Sequence, residues 1–278
     1  MILSMQQSGL HPLRQPLDAL YQEWNDPAFI PPDPLMFVVK YNDSLSREIV
    51  GMLAASLAFG NVKHIARGMD DLLHHIRDPR EFTMEASRHS RERALNSFRY
   101  RFVKGADVAH LITGMHGCIS RYGSLGDCFL SCLRPDEENV MGALDRFTRL
   151  LRADMDGVQN YLLPDPANGA ACKRLHLFLR WMIRRDQVDP GPWSDRISPA
   201  LLCVPLDTHM SRIARLLGLT RLRHTGRSCV LDVTRAFSLI TPEDPVKYDF
   251  ALTRLGMSGQ TEALASLAQV AGASRQDR

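Results

Sequence analysis

The sequence predicts an all-α fold of two helical subdomains around a cleft. Three observations predict its helical class. Apolar residues recur at helical spacing almost throughout. Gly, Pro and Asn cluster between the periodic stretches, and strand-like alternation is weak. At 278 residues, with 45% hydrophobic and 23% charged residues, the chain has the balance of a globular protein with a real core.

The elements follow in order. Leu45, Ile49, Met52, Leu53 and Leu57 share one helix face, with Asp43 or Ser44 placed to cap it. Gly60-Asn61 breaks that helix. Val62, Ile65, Met69, Leu72, Leu73 and Ile76 form the next face, which stops at Asp78-Pro79. Helical patterns are expected around Glu81–Phe102, Asp107–Ser120 and Asn139–Ala153. In the first of these, Arg88 to Lys104 interleaves aromatics with cations. Phe98 and Phe102, four apart, are expected to pack inward, while the cations are open to a polyanion. The stretch from Leu163 through Asn168-Gly169 is a loop. Lys173 opens a helix that Asp189-Pro190-Gly191-Pro192 terminates. Asp207 caps another, carrying Met210, Ile213, Ala214 and Leu217, and Gly218 is placed to end it. Helices at Ser228–Leu239 and Pro245–Leu255 follow, and the polar tail past Gly272 is expected to fray. One subdomain is expected as an insertion over residues 44–160, the other combining 1–43 with 161–278.

Composition removes several classes of function. No apolar run approaches the ~20 residues needed to span a bilayer. Residues 1–14 lack the basic patch and apolar run of a secretory signal, so a cytoplasmic location is expected. Six cysteines in a chain of this length are expected to be thiols. No Gly-rich phosphate loop and no Gly-x-Ser-x-Gly elbow is present. His74 and His75 are adjacent and point to different sides of a helix, and Cys128 and Cys132 have no second pair nearby, so no metal is expected.

The net charge of +3 conceals an asymmetry. Residues 169–227 hold eleven Lys/Arg against four acids, an excess of +7, while the rest of the chain stands at −4. Such an excess suits a polyanion and suits equally a solvated, ion-paired surface. Within it, Lys173, His176, Arg180 and Arg184 share one helix face, with Leu175, Phe178, Leu179 and Met182 opposite. This predicts either a cationic stripe following a Gly-containing loop whose free amides can hold a phosphate, or an ordinary amphipathic helix. Asp207 reads as an N-cap, a role compatible with a second one. A carboxylate fixed by N–H donors can stabilise a cationic transition state or accept a proton from a lysine.

Asn168-Gly-Ala-Ala-Cys-Lys-Arg-Leu175 followed by Val204-Pro-Leu-Asp-Thr-His209 resembles the helix-hairpin-helix DNA glycosylase superfamily. Met52 to Ile65 is similar to the helix–turn–helix of its 8-oxoguanine branch. Over most of its length the chain more closely resembles an uncharacterised bacterial family distantly related to those enzymes. Ala171 to Met182, Val204 to His209 and Asp244 to Leu252 carry that likeness. The usual Leu-Pro-Gly-Val-Gly hairpin is replaced by Asn168-Gly169-Ala170, and the cysteines of an iron–sulfur cluster are absent.

The resemblance implies a base-excision DNA glycosylase with AP-lyase activity. It would act on an oxidised purine such as 8-oxoguanine in double-stranded DNA, without a cofactor. Lys173 would be the nucleophile and Asp207 its electrostatic partner. Arg174, beside the lysine, would help depress its pKa from the ordinary ~10.4. Gly60 and Asn61, with Phe59, would form the wedge that fills the hole left by an extruded base. The alternative there is a plain turn with Asn61 as N-cap. His209, Gly169, Arg174, His176 and Arg180 would contact nucleic acid. Phe59, Trp193 and Phe250 are candidates for a base pocket, each set against an ordinary place in the core. Three rivals stay open: a binding module that has lost catalysis, a glycosidase for RNA or free nucleosides, and a helical interaction protein.

Overall fold

The computed structural model describes residues 11–155, 158, 160–258 and 261–276. It is helical, with fourteen α-helices and one two-stranded hairpin among the described residues. In chain order these are α1 (Arg14–Trp24), α2 (Leu35–Val38), α3 (Ser44–Leu57), α4 (Val62–Ile76), α5 (Pro79–Glu85) and α6 (Arg88–Ala94). The strands β1 (Arg99–Tyr100) and β2 (Val103–Lys104) follow, then α7 (Gly105–Tyr122), α8 (Leu125–Cys132) and α9 (Met141–Ala153). The last five are α10 (Lys173–Ile183), α11 (Thr208–Leu216), α12 (Arg227–Ser238), α13 (Asp249–Ser258) and α14 (Thr261–Gln276).

Side-chain caps set many of the boundaries. Asp43 accepts from the amide of Ser46 and starts α3; Asn61 accepts from that of Lys63 and starts α4; Asp78 does the same for α5 through Glu81. Each satisfies one of the amides a helix start leaves without an internal partner. α3 is buried along nearly its whole length and packs against α10. Gly51 makes this approach possible, because a Cβ there would lie 2.9 Å from the Met182 methyl and 3.5 Å from the Phe178 ring. The buried apolar residues form one continuous cluster that crosses from the 44–160 segment into the flanking segments.

Two expectations are corrected here. The helix expected to continue to Phe102 is instead two short helices and a hairpin, with Arg99 paired to Lys104 and Tyr100 to Val103. Phe98 is buried as expected, but Phe102 sits at the turn and is 58% exposed. The hairpin aims successive side chains to opposite faces, which no helix would do. At the other end, α14 continues past Gly272 to Gln276.

The largest departure concerns α10. The stripe of His176, Arg180 and Arg184 was expected to face solvent, yet all three are buried. Arg180 is held by Asp189 and by Asp249, whose Oδ2 lies 2.7 Å from Nη1. Arg184 is held by Asp186, Asp189 and Asp244. Tyr21 of α1 donates to Asp186 at 3.0 Å. A buried arginine is tolerable only when paired and hydrogen-bonded. So α10 has an apolar side and an ionic side, and both are interior.

Candidate functional site

Lys173 is the first residue of α10, and Asp207 is the N-cap of α11. The Lys173 Nζ lies 2.9 Å from Asp207 Oδ2, and each side chain keeps about 36% of its surface open to solvent. The other carboxylate oxygen, Oδ1, accepts the Met210 N–H at 2.7 Å. One residue therefore both starts a helix and holds an ammonium. Burial works to raise its pKa, but Lys173, the Met210 amide and His209 outweigh it and hold the carboxyl below its ordinary value. Asp207 is thus an ionised, positioned anion at neutral pH.

The approach to Lys173 has unusual backbone. Gly169 lies at φ +72° and is exposed, and Cys172 adopts the left-handed region at φ +45°, ψ +37°. Such a conformation costs a non-glycine residue about 1–2 kcal/mol. The loop is pinned by the Gly169 carbonyl, which accepts the Arg227 N–H at 2.9 Å, and by a bridge between Ala170 and Gly226. No side chain caps the start of α10.

Arg174 points away from the lysine and ties three segments together. It donates to the carbonyls of Ser56 and Tyr161, each at 2.6 Å. Its guanidinium lies 4.5 Å from the Tyr161 ring centre and 5.4 Å from that of Phe59. Phe59, Phe102 and Tyr161 form a ring cluster, with Phe102 and Tyr161 edge-to-face at 4.6 Å. Tyr161 is 52% exposed, so two aromatic side chains stand largely in solvent beside a cation. Next to them, Arg67, Asp71, Arg99, Tyr100 and Arg101 line an open groove of about 340 Å³. Phe102 was expected in the core and Tyr161 was not singled out, so neither was expected at the site. Their signal was weak: single aromatics beside arginine or before a proline-rich loop.

The remaining expected site residues divide clearly. Gly60 and Asn61 form the exposed turn between α3 and α4, and Gly60 holds φ +97° beside Arg101. Asn61 serves as N-cap. Phe59 is half-buried within the ring cluster. His209 packs against Gly256, where a Cβ would lie 1.8 Å from Nε2, and that nitrogen is enclosed without a hydrogen-bond partner. His176 is fully buried, and burial pushes its pKa down to about 4. Neither His176 nor Arg180 reaches the surface, so neither is available to nucleic acid as expected. Trp193 and Phe250 are likewise not a base pocket. Trp193 is buried and donates to Glu48 at 2.7 Å, while Phe250 is buried under the guanidinium groups of Arg180 and Arg254. Asp249, which bonds Arg180, lies within electrostatic reach of both Lys173 and Asp207. Among the described residues no group of three or more His, Cys, Asp or Glu is arranged to hold a metal, and no helix is long and apolar enough to cross a membrane.

Fold and site together define a mostly helical protein with a solvent-reachable lysine–aspartate pair and, around Arg174, a cluster of aromatic rings of which two are exposed. The chain belongs to the family described as "Protein of unknown function (DUF2400)", whose profile matches residues 33–258. Comparison with curated proteins and with solved structures gave no match.

Proposed function

We propose that this protein is a base-excision DNA glycosylase with AP-lyase activity, acting on an oxidised purine such as 8-oxoguanine. The observation that carries the reading is the 2.9 Å contact between Lys173 and Asp207, with about 36% of each side chain open to solvent. The exposed rings of Phe102 and Tyr161, packed with the half-buried Phe59, support it, because an unstacked base needs a π-face to rest on.

In this reading the roles follow from charge. Before attack the Lys173 ammonium gives up a proton to Asp207 at hydrogen-bond distance, and Asp207 passes it to the departing base, returning to its ionised form. The amine lone pair bonds to the sugar C1′ as the C1′–N bond breaks and the base leaves with that electron pair, then takes up a proton. Positive charge develops on the sugar in the transition state, and an ionised Asp207 stabilises it. Ring opening then gives an iminium between Nζ and C1′. Loss of a C2′ proton and departure of the 3′ phosphate cleave the strand, and water releases the lysine.

Borohydride trapping tests this directly. Incubated with a duplex carrying 8-oxoguanine or an abasic site, the protein is expected to form a reduced covalent adduct through Lys173. Lys173→Gln is expected to abolish it. Equal trapping by that variant, or no base release from any oxidised-purine duplex, would overturn the assignment. Activity on free nucleosides or RNA alone would move the chemistry to another substrate.

A further inference from the structure

The positive excess between residues 169 and 227 divides into two halves of different character. In the first, the charge is answered internally. Arg180 and Arg184 are buried among aspartates, Arg185 and Arg196 pair with Asp195 and Asp127, and Lys173 pairs with Asp207. In the second, it is not answered at all. From Thr208 to Leu231 there is no Asp or Glu, yet five arginines occur: Arg212, Arg215, Arg221, Arg223 and Arg227. Among the described residues none of the five has a carboxylate partner. The two acids that border the segment are occupied. Asp207 holds Lys173 and the Met210 amide, and Asp232 accepts the Thr220 hydroxyl at 2.6 Å.

This is a built surface and not a loose tail. Gly218, at φ +70°, turns the chain out of α11. Leu219 and Thr220 are buried as anchors, and the Thr220 hydroxyl also receives the Leu222 N–H. Gly226 bridges to Ala170, and Arg227 donates its amide to Gly169. Arg212, Arg221, Arg223 and His224 are left pointing outward. Some other arginines do have acidic partners, as in Arg121–Asp154 and Arg146–Glu137. An anion from outside the chain would supply the counter-charge that this segment lacks.

The segment also frames the lysine. Asp207 begins it, and Gly226-Arg227 pins the loop that leads into Lys173. The cations are spread along the chain and do not converge on one point, which suits a repeating anion better than a single small one. Leu216 is the one large apolar side chain exposed in it, too little for insertion into lipid.

We propose that residues 208–231 form a nucleic-acid backbone clamp, in which Arg212, Arg221, Arg223 and Arg227 contact the sugar–phosphate chain flanking the Lys173–Asp207 pair. The inference rests on reading this chain as DNA-acting and adds the surface that grips the strand.

The test measures affinity for a fluorescein-labelled duplex carrying one abasic site, by anisotropy across a salt series. It compares the full chain with Arg221→Ser/Arg223→Ser and Arg221→Lys/Arg223→Lys. Both positions are exposed, and a thermal melt checks that each variant folds as the parent does. Each phosphate contact contributes about 0.9 to the slope of log affinity against log salt. The serine variant is expected to lose roughly 1.8 of that slope and about tenfold or more in affinity. The lysine variant is expected to keep both, and trapping at saturating duplex is expected to be unchanged. Unaltered slope and affinity in the serine variant would overturn the clamp and leave the lysine chemistry standing. An altered slope with no trapping in any variant would support the clamp and remove the glycosylase reading. Binding of the parent to phosphatidylserine vesicles but not to duplex would overturn the clamp in favour of a membrane surface.

Discussion

Trp193 donates its indole N–H to Glu48 across 145 positions of sequence, at 2.7 Å, and the same carboxyl accepts the Leu125 N–H at 2.8 Å. Burial nevertheless dominates, and the Glu48 carboxyl is pushed up from 4.5 to about 7. A carboxyl whose folded pKa is raised favours the fold when protonated. Its contribution is complete below 4.5 and is lost as pH rises through about 7.

Urea unfolding across that window is therefore expected to show stability falling by an amount on the order of 3 kcal/mol from this group, then levelling. Glu48→Gln removes the titration, so its profile is expected to be flatter between the same limits. It also starts lower in acid, because an amide N–H₂ then faces an N–H donor, at about 1–3 kcal/mol. Parallel profiles for the two proteins would exclude Glu48 as the source.

Asp207 allows its two roles to be separated. Asparagine caps helices as well as aspartate does but carries no charge. Asp207→Asn is expected to alter stability by less than about 0.5 kcal/mol while lowering the rate of borohydride trapping at least ~100-fold. Asp207→Ala is expected to lose about 1 kcal/mol in addition. A fully active asparagine variant would leave Asp207 with the cap alone.

The ionic side of α10 makes a different prediction. Asp249→Ala leaves the Arg180 charge short of one of its buried partners. Such a loss costs roughly 3–5 kcal/mol, measured as a shift in the urea midpoint. Replacing both residues with apolar side chains of similar size is expected to recover much of that loss. A single variant as stable as the parent would show that Asp189 alone suffices for Arg180.

Phe102 offers a test of the exposed rings. Since it is more than half in solvent, Phe102→Ala is expected to change stability by under about 0.5 kcal/mol. Its effect should fall on duplexes with an abasic site or mismatch, where lost stacking is worth about 1–3 kcal/mol. Equal affinity for all duplexes in parent and variant would remove the rings from the interface.

Much of the helical framework was legible in the sequence, because its determinants are local. Asp43, Asn61 and Asp207 each sit immediately before an apolar periodic run, and each caps a helix, whereas Asp78-Pro79, read as a stop, also caps the short α5. The hairpin was not legible. Its strands have two residues each, and Phe98 and Phe102 four positions apart mimic a helix face. α8 was also missed; its eight residues begin at a Ser124 cap but hold too few turns to show a period. The burial of Arg180 and Arg184 could not be read locally, since partners such as Asp249 and Asp244 lie 69 and 60 positions away. For the candidate site, the family resemblance carried by Asn168–Leu175 and Val204–His209 led to the expectation of a Lys173–Asp207 pair, whereas Phe102 and Tyr161 meet only through the tertiary fold.

Because Arg174 is clasped by the carbonyls of Ser56 and Tyr161, the neighbouring lysine has little freedom to wander along its helix axis. Three distant stretches of chain must dock before that ammonium has a fixed address. A partly folded molecule would carry the same side chain with nothing to orient it, so the geometry of the pair arrives together with native packing and not before.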